Sequence, residues 1–206
     1  MGTFRILGGA VPLAMVMIGS SPALAQAAGP AETTTQAVQP ERPFIPGDFK
    51  PPALVDAGGF KLVPLGPDLV EVDFEAYMSS IEHLQKTFSR STAWPHKDIS
   101  AADAMRDMES EQARFQNRQS FAYAVLTPDG TRERGSVYVS PSPVEPYDAL
   151  VRMWVTEADY DAGFDAELYD WVSNWVRREW PFRNVVFPGR SVDWETWDRL
   201  VAAKGG

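Results

Sequence analysis

No cysteine occurs anywhere in the 206 residues. Disulfides, thiolate nucleophiles and thiolate metal sites are therefore excluded. The absence fits an oxidising compartment, where disulfides are optional. Histidine is almost as scarce, with only His83 and His96. A His-rich zinc site is disfavoured on that count. Positive charge is in deficit: 19 Lys and Arg stand against 28 Asp and Glu, a formal net charge of −9. That balance argues against nucleic acid as a partner and gives no attraction to an anionic membrane. No internal repeat is visible. There is no Walker-type phosphate loop, no G-x-S-x-G and no H-E-x-x-H.

Long apolar runs are missing too. The longest, residues 6–18, is shorter than the roughly 20 residues a bilayer requires. It follows a single cation, Arg5, and leads to Ala23-Leu24-Ala25. This is the pattern of a secretory signal peptide. Residues 1–25 are expected to be removed, leaving Gln26 as the first residue and the protein secreted or periplasmic. An uncleaved N-terminal anchor is the other reading. Without paired arginines the general secretory route is favoured. Cleavage would remove one base and no acid, and the mature chain would have no transmembrane helix. Residues 26–58 contain Pro30, Pro40, Pro43, Pro46, Pro51 and Pro52. Prolines block both helix and strand ladders, and few apolar residues are present to offset ordering entropy. The stretch reads as a flexible linker, serving as a tether or left as an unselected tail. Residues 59–206 then form one domain, with 7 Trp, 11 Phe and 6 Tyr in the chain to supply a core.

The domain divides by periodicity. Residues 60–65 read as a short strand ending at Pro64. Over 73–88 the apolar residues Phe74, Tyr77, Met78, Ile81, Leu84 and Phe88 form one helical stripe. His83 beside that stripe reads as structural. Ser100, with Asp103 three residues on, caps a second helix over 101–117. Its Met105 and Met108 read as core filler. Residues 121–126 and 135–140 are strands joined at Pro128-Asp129-Gly130, a turn built from fixed φ and a positive-φ glycine. Residues 150–155 are a third, antiparallel strand, with Met153 and Val155 opposite Arg152 and Trp154. A helix over 164–180 carries Leu168, Trp171, Val172, Trp175 and Val176 on one face. Arg177 and Arg178 sit in its last turn. Residues 184–187 follow as a short strand, parallel to 150–155 by the crossover rule. A weakly patterned helix closes the domain over 191–203.

The order strand, two helices, three antiparallel strands, helix, strand, helix resembles the GCN5-related N-acetyltransferase (GNAT) family. The residues carrying the likeness are His83-Leu84, Phe88, Trp94-Pro95, the FAYAVLTPDG run at 121–130 and RGSVYVSPS at 134–142. VRMWV at 151–155 and the WPF, VVFPGR and Trp194/Trp197 tail complete it. The resemblance covers about residues 60–200. It implies an α+β fold, GNAT-like, with a mixed, mostly antiparallel twisted sheet flanked by helices and truncated at the C-terminal strands.

For function, the resemblance implies an acyl-CoA-dependent N-acetyltransferase. Acetyl-CoA, as co-substrate, would wedge between strands 150–155 and 184–187. Its pyrophosphate would lie on the loop Tyr160-Asp161-Ala162-Gly163-Phe164-Asp165. That loop departs from the family pattern Gln/Arg-x-x-Gly-x-Gly/Ala, keeping only Gly163. Asp159, Asp161 and Asp165 surround the phosphate position, although acids also stabilise a helix N-terminus. Backbone donors would come from Trp154, Val155 and Thr156. Glu157 would be the base, and Tyr160 or Tyr169 the acid. No metal is implied, and no acceptor amine is singled out. The competing reading is a non-catalytic secreted binding or assembly module on the same fold. A gap plugged by Trp154, Phe164 or Trp194 would favour that module; an open one would favour the cofactor.

Overall fold

The structure, a computed structural model, describes residues 43–204. Its centre is one six-stranded sheet in simple sequential order. The strands are β1 (Val55–Asp56), β2 (Lys61–Pro64), β3 (Phe121–Leu126), β4 (Glu133–Pro141), β5 (Ala149–Val155) and β6 (Val185–Val186). The first five pair antiparallel; β6 alone runs parallel to β5. A parallel neighbour requires a crossover, and two helices supply it: α4 (Glu157–Asp161) and α5 (Phe164–Glu179). This is the mixed, mostly antiparallel sheet flanked by helices that the sequence pattern predicts.

Both faces of the sheet are covered, so β3 is buried at all six residues. One face takes α5. Its Phe164, Leu168, Val172, Trp175 and Val176 pack on Leu62, Tyr123, Val137, Val151 and Val155. Each such side chain contributes about 2 kcal/mol over its exposed state. The other face takes α1 (Val70–Met78), α2 (Ile81–Leu84) and α3 (Ala101–Gln116). The expected helix over 73–88 is in fact α1, a break at Ser79 and Ser80, then α2 running into a wider π turn at Gln85–Ser89. Ser79 explains the break: its hydroxyl donates back to the Ala76 carbonyl at 2.7 Å. The capping box at Ser100 and Asp103 forms as its spacing predicts. The last helix, α6 (Trp194–Lys204), packs against β6 through Trp197 and Val186.

The expected linker differs within the described residues. From Phe44 onward the chain packs against the domain instead of standing off as a tether. Phe44 stacks on Phe182 at 5.0 Å, Phe49 meets Trp180, and Ile45 is 1% exposed. Arg118 donates to the Pro46 and Phe49 carbonyls, and the Tyr123 hydroxyl to that of Pro52. Prolines exclude regular pairing but not aromatic packing, and these outside donors satisfy the carbonyls. Residues 55–56 then join the sheet as its edge. The leader, residues 1–25, and the first part of the expected linker lie outside the described residues. Among the described residues no helix is long and apolar enough to cross a membrane.

Candidate functional site

β5 and β6 are paired only at Ala149 with Val185 and Leu150 with Val186. Beyond Leu150 the strands part. The Ala149 N–H points to β6, donating to Asn184, while the Thr156 N–H points to β4, donating to Arg134. Donors alternate along a strand. Trp154 and Arg152 therefore face β4, and Met153 and Val155 direct their N–H groups to the side where β6 has ended. Open α/β sheets form ligand crevices beyond the carboxyl ends of such strands.

A cavity of about 230 Å³ occupies this gap. Tyr160, Asp165, Arg152, Arg190, Lys86 and Trp194 are among the side chains lining it. Three cations thus face one carboxylate. Arg190 holds Asp165 through two hydrogen bonds, 3.0 and 2.6 Å, and lies over the Tyr169 ring. Arg152 donates to the Phe88 carbonyl and stacks on the Phe88 ring. Burial, with Arg90 nearby, lowers its pKa from the usual value. The Trp194 indole forms one wall, seated on Gly189. A Cβ at Gly189 would meet that ring at 2.3 Å, and φ there is +78°. Both facts call for glycine.

The loop entering α5 is more helical than the sequence suggests. Thr156 caps α4: its hydroxyl accepts from the Asp159 N–H and donates to the Asp159 carboxylate at 2.7 Å. Within this turn the N–H groups of Tyr160, Ala162 and Gly163 bond to Thr156, Ala158 and Tyr160 carbonyls. They are not available to a phosphate. The first turn of α5, at Phe164, Asp165 and Ala166, retains the unpaired donors that every helix N-terminus has. Gly163 supplies the left-handed step into it, at φ +84°, with open space where a side chain would begin.

The acidic cluster around this loop is largely neutralised. Asp159 is buried and turned away, bonded to Arg132 at 2.6 Å and Arg134 at 2.7 Å. Burial alone would raise its pKa; the bonds from Arg132, Arg134 and Thr156 outweigh it and hold it below the usual carboxylate range. Asp165 has Arg190, and Asp161 is exposed.

The other anticipated residues disperse. Trp154 is buried on the helical face against Trp94, with its indole N–H on the Tyr138 hydroxyl. Phe164 is buried under Phe60. Neither plugs the gap. Glu157 is exposed at the start of α4, its backbone N–H donating to Ser80 Oγ. Tyr169 packs edge-on against Phe187. Tyr160 reaches the cavity with its ring 4.8 Å from His83. Lys86, Arg152 and Arg190 were not anticipated as site residues, and Trp194, anticipated as a plug of the gap, instead forms one wall of it. Arg152 carried a signal, a lone cation inside an apolar strand; Lys86 and Arg190 carried none.

No protein-family model matches the chain, and no curated protein matches it. Solved structures do. One is the ribosomal-protein-S5-alanine acetyltransferase of Vibrio fischeri, 12% identical, with a TM-score of 0.52. The match covers 75% of this chain and 82% of that one. Another is RimL, a ribosomal L7/L12 α-N-protein acetyltransferase solved with coenzyme A, 14% identical, with a TM-score of 0.51. There the match covers 73% of this chain and 82% of that one. The strand order, the parallel β6 and these matches together give the chain the fold of the GNAT acetyltransferases.

Proposed function

We propose that the chain is an acyl-CoA-dependent N-acetyltransferase of the GNAT type, with the gap between β5 and β6 as its cofactor crevice. The observation that carries this is the parting of those strands after Leu150, which leaves the Met153 N–H group on the side of a cationic cavity. Acetyl-CoA would lie along β5. The amine nitrogen attacks the thioester carbonyl carbon, the C–N bond forms and the C–S bond breaks. The Met153 N–H donates to the carbonyl oxygen as it gains charge. Tyr160, on the cavity wall, returns a proton to the departing thiolate. The amine gives up its proton through water to Glu157, which lies outside the cavity. The first turn of α5, with Lys86 and Arg190, takes the pyrophosphate, since α4 uses the loop's own donors.

That use of the loop donors is also the one observation favouring the second reading, a non-catalytic binding module. Thermal unfolding with acetyl-CoA separates the two. Ligand at a thousand times its Kd stabilises by about 4 kcal/mol. A clear upward shift in Tm is expected, and no shift at millimolar ligand removes the enzyme reading. The compartment reading rests on the leader at residues 1–25 and has its own test. Mass spectrometry of the exported chain is expected to begin at Gln26; an intact Met1 overturns it.

A further inference from the structure

A second cavity, about 240 Å³, lies on the other side of the sheet, between α1, α3 and β4. It shares no lining residue with the first. Its charge is negative. Asp73 is 3% exposed and lies against Glu133, which is 1% exposed. Ser136 donates to one Glu133 oxygen at 2.7 Å; the other has only the Asp73 carboxyl for company. Burial pushes both carboxyls above the usual carboxylate range, and the neighbouring Asp73 adds to the rise at Glu133. Glu111 is paired with Arg114 at 2.5 Å. Asp107, on the exposed rim, adds a charge with no ion-pair partner among the described residues.

A second observation points to a ligand. Tyr77 is 3% exposed, lines the cavity, and its hydroxyl has no hydrogen-bond partner among the described residues. An orphaned buried hydroxyl is costly unless something occupies the site. Two more aromatic rings line it, Trp94 at 5.4 Å from Tyr77 and Tyr138, beside the apolar Leu65, Ala104 and Met108 and the Glu111-bound Arg114. Aromatic faces with carboxylates favour an organic cation over an inorganic one. No cluster of three or more His, Cys, Asp or Glu that could hold a metal ion occurs among the described residues.

We propose that this cavity binds a small organic ammonium ion, a protonated primary amine, with Asp73 as counter-ion, the Tyr77 hydroxyl as hydrogen-bond partner and the Trp94 ring as a cation–π wall. The site stands apart from the acyl-transfer reading and does not depend on it. Calorimetry on the full chain tests it, with n-butylammonium as probe and 1-butanol as the neutral control. The ammonium is expected to bind with a Kd of about 1 mM or tighter, and the alcohol at least about tenfold more weakly. Asp73→Asn is expected to weaken binding by about tenfold or more, and Tyr77→Phe by about threefold. Asp107→Asn, on the exposed rim, tests the charge without touching the core and is expected to weaken binding severalfold. Near neutral pH, binding releases a proton, because an ammonium beside Asp73, whose pKa burial raises to about 7, favours its ionisation against Glu133, Asp107 and Glu111. Arg114 in the wall is held by Glu111. Heats measured in two buffers of different ionisation enthalpy report that release. Equal binding of alcohol and ammonium, or an unaltered affinity in Asp107→Asn, overturns the proposal.

Discussion

Arg190 and Asp165 close on each other at the mouth of the β5–β6 gap through two hydrogen bonds of 3.0 and 2.6 Å. The pair joins the first turn of α5 to the turn after β6. It therefore sets the charge at the helix N-terminus on which a pyrophosphate would rest. A carboxylate at intermediate effective dielectric opposes a nearby phosphate by about 1 kcal/mol or more.

Asp165→Asn is expected to tighten acetyl-CoA binding by about fivefold, since it removes that repulsion and releases Arg190. Arg190→Ala is expected to weaken it by about tenfold or more. Isothermal titration measures both. If neither variant departs from the parent, α5 is not the phosphate site.

Asp159 anchors α4 to the β3–β4 hairpin through Arg132 and Arg134, and holds the Thr156 cap of its own helix. Asp159→Ala leaves the exposed Arg132, the half-buried Arg134 and the buried Thr156 hydroxyl without their acceptor, at a cost of about 1–3 kcal/mol. Its folded pKa is depressed. Its contribution is therefore present above the unfolded carboxylate pKa of about 4 and is lost as pH falls through the folded value. Urea unfolding of both proteins at neutral pH and at about pH 3 should show the difference shrink on acidification. A constant difference would exclude the ion pairs as its source.

Asp73 acts in the opposite sense. Burial raises its pKa to about 7, with Asp107 and Glu111 adding to the rise and the bond to Glu133 opposing it. Between the unfolded value of about 4 and the folded one, the native state holds the extra proton. Stability from this group is full below the unfolded pKa and is lost as pH rises through the folded one. Asp73→Asn is expected to flatten that decline between about pH 4 and 7. Parallel pH profiles for parent and variant would show that Asp73 does not carry it.

Ile45, 1% exposed, belongs to the segment whose prolines read as linker. Ile45→Ala is expected to lower stability by about 2–4 kcal/mol, as a core truncation does. Chemical denaturation decides. A loss within about 0.5 kcal/mol, the usual surface value, would mean that the segment contributes nothing to the fold.

Much of the architecture was legible in local spacing. The stripe Leu168, Trp171, Val172, Trp175 and Val176 specifies α5, and Pro128-Asp129-Gly130 specifies the β3–β4 turn. The crossover rule makes β6 parallel to β5. α4 had a signal as well, since Thr156 and Asp159 stand at capping-box spacing. A five-residue helix is simply too short for periodicity to reveal. Of the anticipated site residues, Tyr160 and Asp165 reach the cavity, while Val155 is buried in the core and does not line it. Trp154 and Phe164 turn elsewhere because each face of β5 and α5 is claimed by a different core cluster.

Local spacing carried the long helices, the central strands and their order, because periods of 3.6 and 2 are properties of neighbouring residues. The edge strand β1, the break at Ser79 and the short α4 lay beyond it. Only the tertiary structure decided which distant groups meet. Arg190 reaches Asp165 across 25 positions, Tyr123 reaches Pro52 across 71, and Asp73 meets Glu133 from another element. No spacing rule encodes such contacts. They follow from where packing places the sheet edge, the helix ends and the N-terminal strap, and they set the charge of both cavities.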